Sequence, residues 1–152
     1  ASYGITPMNK IVDEDKLQKS YHLKAFEMSS CIFWNESNKF TKQILPAEVQ
    51  VSMVKGILIQ DIDMDGKKDI LTCGNFYDTD IDFGRYDASI GCLLLQKQKD
   101  SKPDFQAVSV LKSGFYVPGN ARRIKFLEVG DSKCIIATEN NAMPKLFKIR
   151  KK

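Results

Sequence analysis

The sequence predicts an all-β chain, an incomplete β-propeller of about two to three four-stranded antiparallel blades with a short N-terminal helix. Three observations carry that prediction. Short apolar, partly β-branched runs bounded by glycines and polar turns recur, as in Gly56-Ile57-Leu58-Ile59-Gln60 and Ile70-Leu71-Thr72-Cys73, and such runs read as strands. The runs repeat. Ser30-Cys31-Ile32-Phe33-Trp34 matches Gly91-Cys92-Leu93-Leu94-Leu95 about 61 residues later, each followed by a polar turn and a Phe, Phe40 and Phe105. Gly56 through Asn75 corresponds in the same way to Arg122 through Asn140 at about 65 residues. A propeller repeat is about 40–50 residues of four strands, so a unit near sixty places its extra length in loops. The third observation is an acidic loop between two of the strands.

In chain order, segment 1–25 comes first. Asp13, Glu14 and Asp15 precede Leu17, Tyr21 and Ala25 at four-residue spacing, which predicts a short amphipathic helix within 8–25 whose acidic first turn suits the helix dipole. His22, the single histidine, has no second histidine with which to bind metal or exchange protons, and is expected to be an exposed polar residue. Segment 26–50 is a partial blade, with strands three and four at 30–35 and 40–45. Segment 51–115 is a complete blade carrying the acidic loop, its strands at 56–61, 69–75, 90–96 and 105–111. Segment 116–152 is a C-terminal partial blade, with strands at about 122–129, 134–139 and 145–150. Fewer than three blades cannot close a ring that needs at least four. The open edges are expected to meet the remaining blades of a parent propeller, or to self-associate. The apolar runs around Phe33-Trp34 and Leu93-Leu94-Leu95 predict strands covered on both faces, with Phe33 and Leu94 buried.

The acidic loop is Asp61-Ile62-Asp63-Met64-Asp65-Gly66-Lys67-Lys68-Asp69. Calcium takes six to eight oxygens at about 2.3–2.6 Å, so a loop that binds it must turn several carboxylates and a carbonyl inward within a few residues. Asp61, Asp63, Asp65, the carbonyl of Lys67 and Asp69 are the candidate ligands, and Gly66 allows the positive φ of the reversal. An EF-hand shares the opening Asp positions and the glycine but needs a Glu at position 12 and flanking helices. Here position 12 is Thr72 and the flanks read as strands, so the loop joins a hairpin. A merely solvated hairpin turn does not require four acids. In the second copy the loop has shrunk to Val129-Gly130-Asp131-Ser132-Lys133, with too few carboxylates for a metal.

Between Asn75 and Ser89 a long connection carries Asp78, Asp80, Asp82, Arg85, Tyr86 and Asp87, a candidate binding surface by its length. Asp78, Asp80 and Asp82 repeat the alternate acidic spacing, although Phe83 stands where a metal loop wants glycine. Arg85 and Asp87 either pair to pin the connection or face a ligand.

Composition narrows the classes. At 152 residues and 43% hydrophobic the chain can build a core of its own. It holds no run of about 18 apolar residues, so no membrane span is expected. The 23 basic and 19 acidic residues are interspersed, and only Lys148-Ile149-Arg150-Lys151-Lys152 concentrates positive charge; a nucleic-acid reader would carry a basic stripe with interleaved aromatics. Cys31, Cys73, Cys92 and Cys134 show no C-x-x-C spacing, which argues against zinc; each sits in an apolar, strand-like run, where a buried free thiol is the default and a disulfide the lesser reading. The opening Ala1-Ser2-Tyr3-Gly4 has neither an initiator Met nor a signal-type apolar stretch, as in a mature or excised piece. No nucleophile motif is present, and the chain is not expected to be an enzyme.

The string from Gly56 to Leu71 resembles the FG-GAP/VCBS repeat, the calcium-loop blade also seen in integrin α propellers. It has a hydrophobic strand, acids at loop positions 1, 3, 5 and 9, glycine at 6 and a second hydrophobic strand. Asn75-Phe76-Tyr77, Gly84-Arg85-Tyr86-Asp87-Ala88-Ser89 and Leu45-Pro46-Ala47-Glu48-Val49-Gln50 look like the C-terminal part of bacterial VCBS repeat proteins. Lys55-Gly56 stands in place of the family's Phe-Gly, and Cys73-Gly74-Asn75 in place of Gly-Ala-Pro. The resemblance implies Ca2+ held by Asp61, Asp63, Asp65, the Lys67 carbonyl and Asp69. It also implies an extracellular, periplasmic or cell-surface location, and a binding or adhesion role toward a protein or carbohydrate ligand. The alternatives are a propeller-based carbohydrate-active enzyme and another calcium-binding β interaction module.

Overall fold

Short runs bounded by turns, some alternating and some continuously apolar, become nine strands among the described residues, 3–99 and 102–150 of the computed structural model. Ala1, Ser2 and the last two lysines of the basic tail lie outside them. Strand β1 (Cys31–Glu36) pairs with β2 (Lys39–Ile44) across Ser37-Asn38, both at positive φ (45° and 75°), the backbone of a tight two-residue hairpin turn. A second sheet holds β3 (Gly56–Gln60), β4 (Asp69–Cys73), β5 (Cys92–Lys99) and β6 (Lys102–Val108), antiparallel and in chain order. The third holds β7 (Ala121–Val129), β8 (Ser132–Glu139) and β9 (Lys145–Lys148). The chain is thus all-β in character, and among the described residues it has sheets of two, four and three strands and no closed propeller.

Two expectations about local structure are corrected. The N-terminal helix α1 spans only Glu14–Gln18, so Tyr21 and Ala25 are not on it, and no residue of α1 is buried. A helix this short gains nothing from propensity alone and needs an apolar face to pack. Strand β6 runs earlier than predicted and ends at Val108, because Val110–Ser113 form a one-turn helix, α2, closed by Gly114 in the left-handed conformation (φ 68°).

The second sheet packs against a neighbour on each face, and β4 is buried at every position. On one face Leu71, Cys73 and Leu93 pack with Phe115, Val117, Ala121, Ile124, Ile135 and Ala137, which brings β7 and β8 against β3 and β4. Gly56 makes the close approach possible, since a Cβ there would lie 2.8 Å from Cys73 Sγ and 3.2 Å from the backbone nitrogen of Ile124. On the other face Ile70, Cys92, Leu94 and Phe105 pack with Val49, Ile32, Trp34 and Leu45. Trp34 stacks on Phe105 (centroids 6.3 Å, planes 9° apart) and donates its indole N–H to Gln43 Oε1 at 2.7 Å. Leu94 is fully buried, as expected. Phe33 is not: it is 58% exposed. The first sheet is covered on one side only, so Ile32 and Trp34 face the core while Phe33, between them, faces away.

One buried amide ties three segments. The Asn75 side-chain nitrogen lies 2.9, 2.8 and 3.0 Å from the carbonyl oxygens of Ser89, Pro118 and Gly119, and its oxygen accepts the Ser89 N–H at 3.0 Å. It holds the end of β4, the return of the long connection and the entry to the third sheet.

Candidate metal centre

The acidic loop occupies residues 61–68 between β3 and β4, which pair from Gly56 with Cys73 to Gln60 with Asp69. The loop therefore caps a hairpin, as the flanking residues predicted. Gly66 adopts φ 87°, and Met64 also turns left-handed at 63°. The spacing signalled the glycine; nothing in it signalled Met64.

Asp61, Asp63 and Asp65 converge, each offering a carboxylate oxygen within 4.8 Å of the others. Two oxygens on opposite sides of one calcium ion stand about 4.6–5.2 Å apart, twice the usual bond length, so these three fit around a single hard cation. The backbone holds them there. Asp61 accepts the N–H groups of Asp65 (3.1 Å) and Gly66 (3.0 Å), and Asp63 accepts that of Asp65 at 3.3 Å. Lys67 takes part through its side chain: Nζ lies 2.7 Å from Asp65 Oδ2, and its backbone N–H donates to Asp65 Oδ1 at 2.9 Å. That ammonium holds the Asp65 carboxyl below its ordinary value, and Asp65 raises Lys67 in return. A positive charge already finds the cluster attractive.

Asp69 is set apart from this trio. It is fully buried, with one oxygen accepting the N–H groups of Ile62 (2.8 Å) and Asp63 (3.4 Å) and the other that of Gln96 in β5 (2.9 Å). Burial pushes its carboxyl up, against the hydrogen bonds from Gln96 and Ile62. Both oxygens are engaged in tying the loop to the sheet. In the third sheet the corresponding connection is a two-residue turn, Gly130-Asp131, between Val129 and Ser132, as short as the sequence implied.

The long connection is organised without an acidic cluster. Asp78 pairs with Arg122 at 3.0 Å, Asp80 caps the N–H of Asp82, and the Thr79 hydroxyl donates to the Gly84 carbonyl. Among the described residues Asp61, Asp63 and Asp65 alone group as metal-ligand candidates, so Asp78, Asp80 and Asp82 do not form the second cluster considered from their spacing. Arg85 lies over the Tyr77 ring, 4.8 Å from its centre, rather than pairing with Asp87. His22 is exposed, with Nε2 3.0 Å from the Leu17 carbonyl. All four cysteines are free; Cys73, Cys92 and Cys134 are buried and Cys31 is half-buried. No described helix is long and apolar enough to cross a membrane. Comparison with family models, curated proteins and solved structures gives no match to this chain.

Proposed function

We propose that the chain is a calcium-stabilised segment of a β-propeller of the FG-GAP/VCBS type, part of a secreted or cell-surface protein that binds or adheres to a protein or carbohydrate ligand. The observation that carries this reading is the convergence of Asp61, Asp63 and Asp65 within 4.8 Å on a loop joining two paired strands. The stacking of three consecutive antiparallel sheets in chain order supports the propeller part of it. Asp61, Asp63 and Asp65 would hold the ion, with the Lys67 carbonyl and Asp69 completing its surroundings. Ca2+ would supply charge neutralisation at a turn where the carboxylates otherwise repel one another.

Extracellular calcium modules bind at about 10⁻⁴–10⁻³ M, and calcium at ten times its dissociation constant adds about 1.4 kcal/mol to stability. Melting the protein in millimolar calcium and again in chelator tests the proposal. A higher midpoint with calcium and one ion bound per chain are expected; identical melts with no measurable binding would refute it.

A further inference from the structure

The outward face of the first sheet carries a pattern that core packing does not explain. Side chains paired directly across two antiparallel strands share a face, as do those two apart on one strand. Phe33 lies opposite Lys42, and Asn35 opposite Phe40, so these four make a square on the face turned away from Trp34 and the core. The two phenyl groups occupy one diagonal, about 7–8 Å apart at the usual strand spacing. The amide and the ammonium occupy the other. Phe33 is 58% and Phe40 67% exposed, and neither ring stacks on another aromatic among the described residues. The Asn35 side chain is exposed and has no hydrogen-bond partner among them. Lys42 is paired with Glu27, so the square presents no unpaired charge.

We propose that this face binds a neutral, extended β-linked polysaccharide, which lays its sugar rings on Phe33 and Phe40 and turns its hydroxyls to Asn35 and the Lys42–Glu27 pair. The inference rests on the ligand-binding part of the function proposed above and not on calcium. A pyranose with equatorial substituents turns C–H bonds to its two faces and hydroxyls to its rim. The faces suit the electron-rich surface of a phenyl ring, and the rim hydroxyls accept from an amide or ammonium and donate to an amide oxygen or a carboxylate. An aromatic diagonal crossed by a polar one supplies both kinds of contact at once. Other occupants fit less well. A further sheet packed here would take the Asn35 amide and the Lys42–Glu27 pair out of water, a cost that hydroxyl groups offset and apolar side chains do not. A second copy has too little to hold: two six-residue strands present about 20 Å by 10 Å of sheet, roughly 200 Å², against about 800 Å² per partner in a stable protein interface. An anionic polysaccharide finds no unpaired cation in the square.

The probe is cellohexaose, a flat β-linked chain, with maltohexaose, whose α-links coil it, as the control, each titrated into the full isotope-labelled chain and followed by NMR. Cellohexaose should shift the ring signals of Phe33 and Phe40 and the side-chain amide of Asn35. It should leave the ring of Trp34, on the opposite face of the same strand, unmoved. Phe33→Ala and Phe40→Ala, altered at exposed positions, should each fold as the parent does and bind about tenfold more weakly, and the double variant should show no measurable binding. Asp65→Ala should bind cellohexaose as the parent does, so loss of the calcium response leaves this proposal standing, whereas absent binding with the calcium response intact strikes this proposal alone. No shift at Phe33, Phe40 and Asn35 up to the solubility limit of cellohexaose would overturn it. So would equal binding of maltohexaose, or shifts that the double variant retains. Self-association that broadens the same signals and is abolished in the double variant would give the face to a second copy and equally overturn the proposal.

Discussion

Asp69 at the start of β4 accepts the backbone N–H of Gln96 in β5 at 2.9 Å, while its other oxygen accepts the N–H of Ile62 at 2.8 Å. One buried carboxylate thus joins the acidic loop to the neighbouring strand. Asp69→Ala strands buried backbone donors at about 1–3 kcal/mol each, and the variant should lose stability in chelator as well as in calcium. A loss confined to calcium would show that its role is ligation alone.

The same residue gives a pH dependence of defined sign. Because burial raises its carboxyl, the native chain holds the proton more tightly than the unfolded chain. Asp69 therefore lowers stability as pH rises from the ordinary value of 3.8 through the raised one. Comparing Asp69→Asn with the parent across this range should show the downward contribution missing from the variant.

Asp65→Ala should abolish the calcium-dependent rise in melting temperature, and Asp131→Ala should leave it intact. Asp65 belongs to the converging trio, whereas Asp131 sits on a two-residue turn with no carboxylate partner. Calorimetric titration of both variants checks the pair. An equal loss in both would detach the calcium effect from this loop.

Leu94 and Phe33 should respond oppositely to charge. Leu94 has no exposed surface, and truncation to Ala alone should cost about 2–5 kcal/mol; Leu94→Asp should not fold. Phe33, 58% exposed, should accept Asp within about 0.5 kcal/mol. Denaturant melts decide both.

Glu27 contacts the Lys42 ammonium and accepts the Ser29 N–H, and these hold its carboxyl down to about 2, the lysine bond first. The favourable contribution is complete above the ordinary value of 4.5 and disappears as pH falls from there through about 2. Glu27→Gln should remove that part of the acid dependence, measured as the change in midpoint on acidification.

The strands were legible because their signal is local. Glycine-bounded runs such as Gly56–Gln60, and the two spacings of about 61 and 65 residues, placed β3, β4 and the short β7–β8 turn nearly where they lie. The acidic trio was legible for the same reason. What escaped depends on partners far along the chain. The period of Leu17, Tyr21 and Ala25 suggested a longer helix, yet no residue of the helix is buried and it stops at Gln18. Phe33 reads like Leu94 by composition, but only one side of its sheet is covered. Asp69 reads as one more acid until Gln96, 27 residues on, is seen to hold it. The spacing of Asp78, Asp80 and Asp82 resembled a metal loop, and Arg122 draws the first of them elsewhere.

Asn75 has a consequence for how the molecule opens. Its single amide binds Ser89, Pro118 and Gly119 together with the end of β4, so the second and third sheets cannot part without breaking its bonds to Pro118 and Gly119. They should behave as one cooperative unit in native-state hydrogen exchange. The first sheet is attached through the Trp34–Phe105 stack and the contact of Gln43 with the Pro103 carbonyl at 3.2 Å. Among the described residues it has no such clamp, and it should exchange earlier, as a separate sub-global opening while the rest of the chain stays folded.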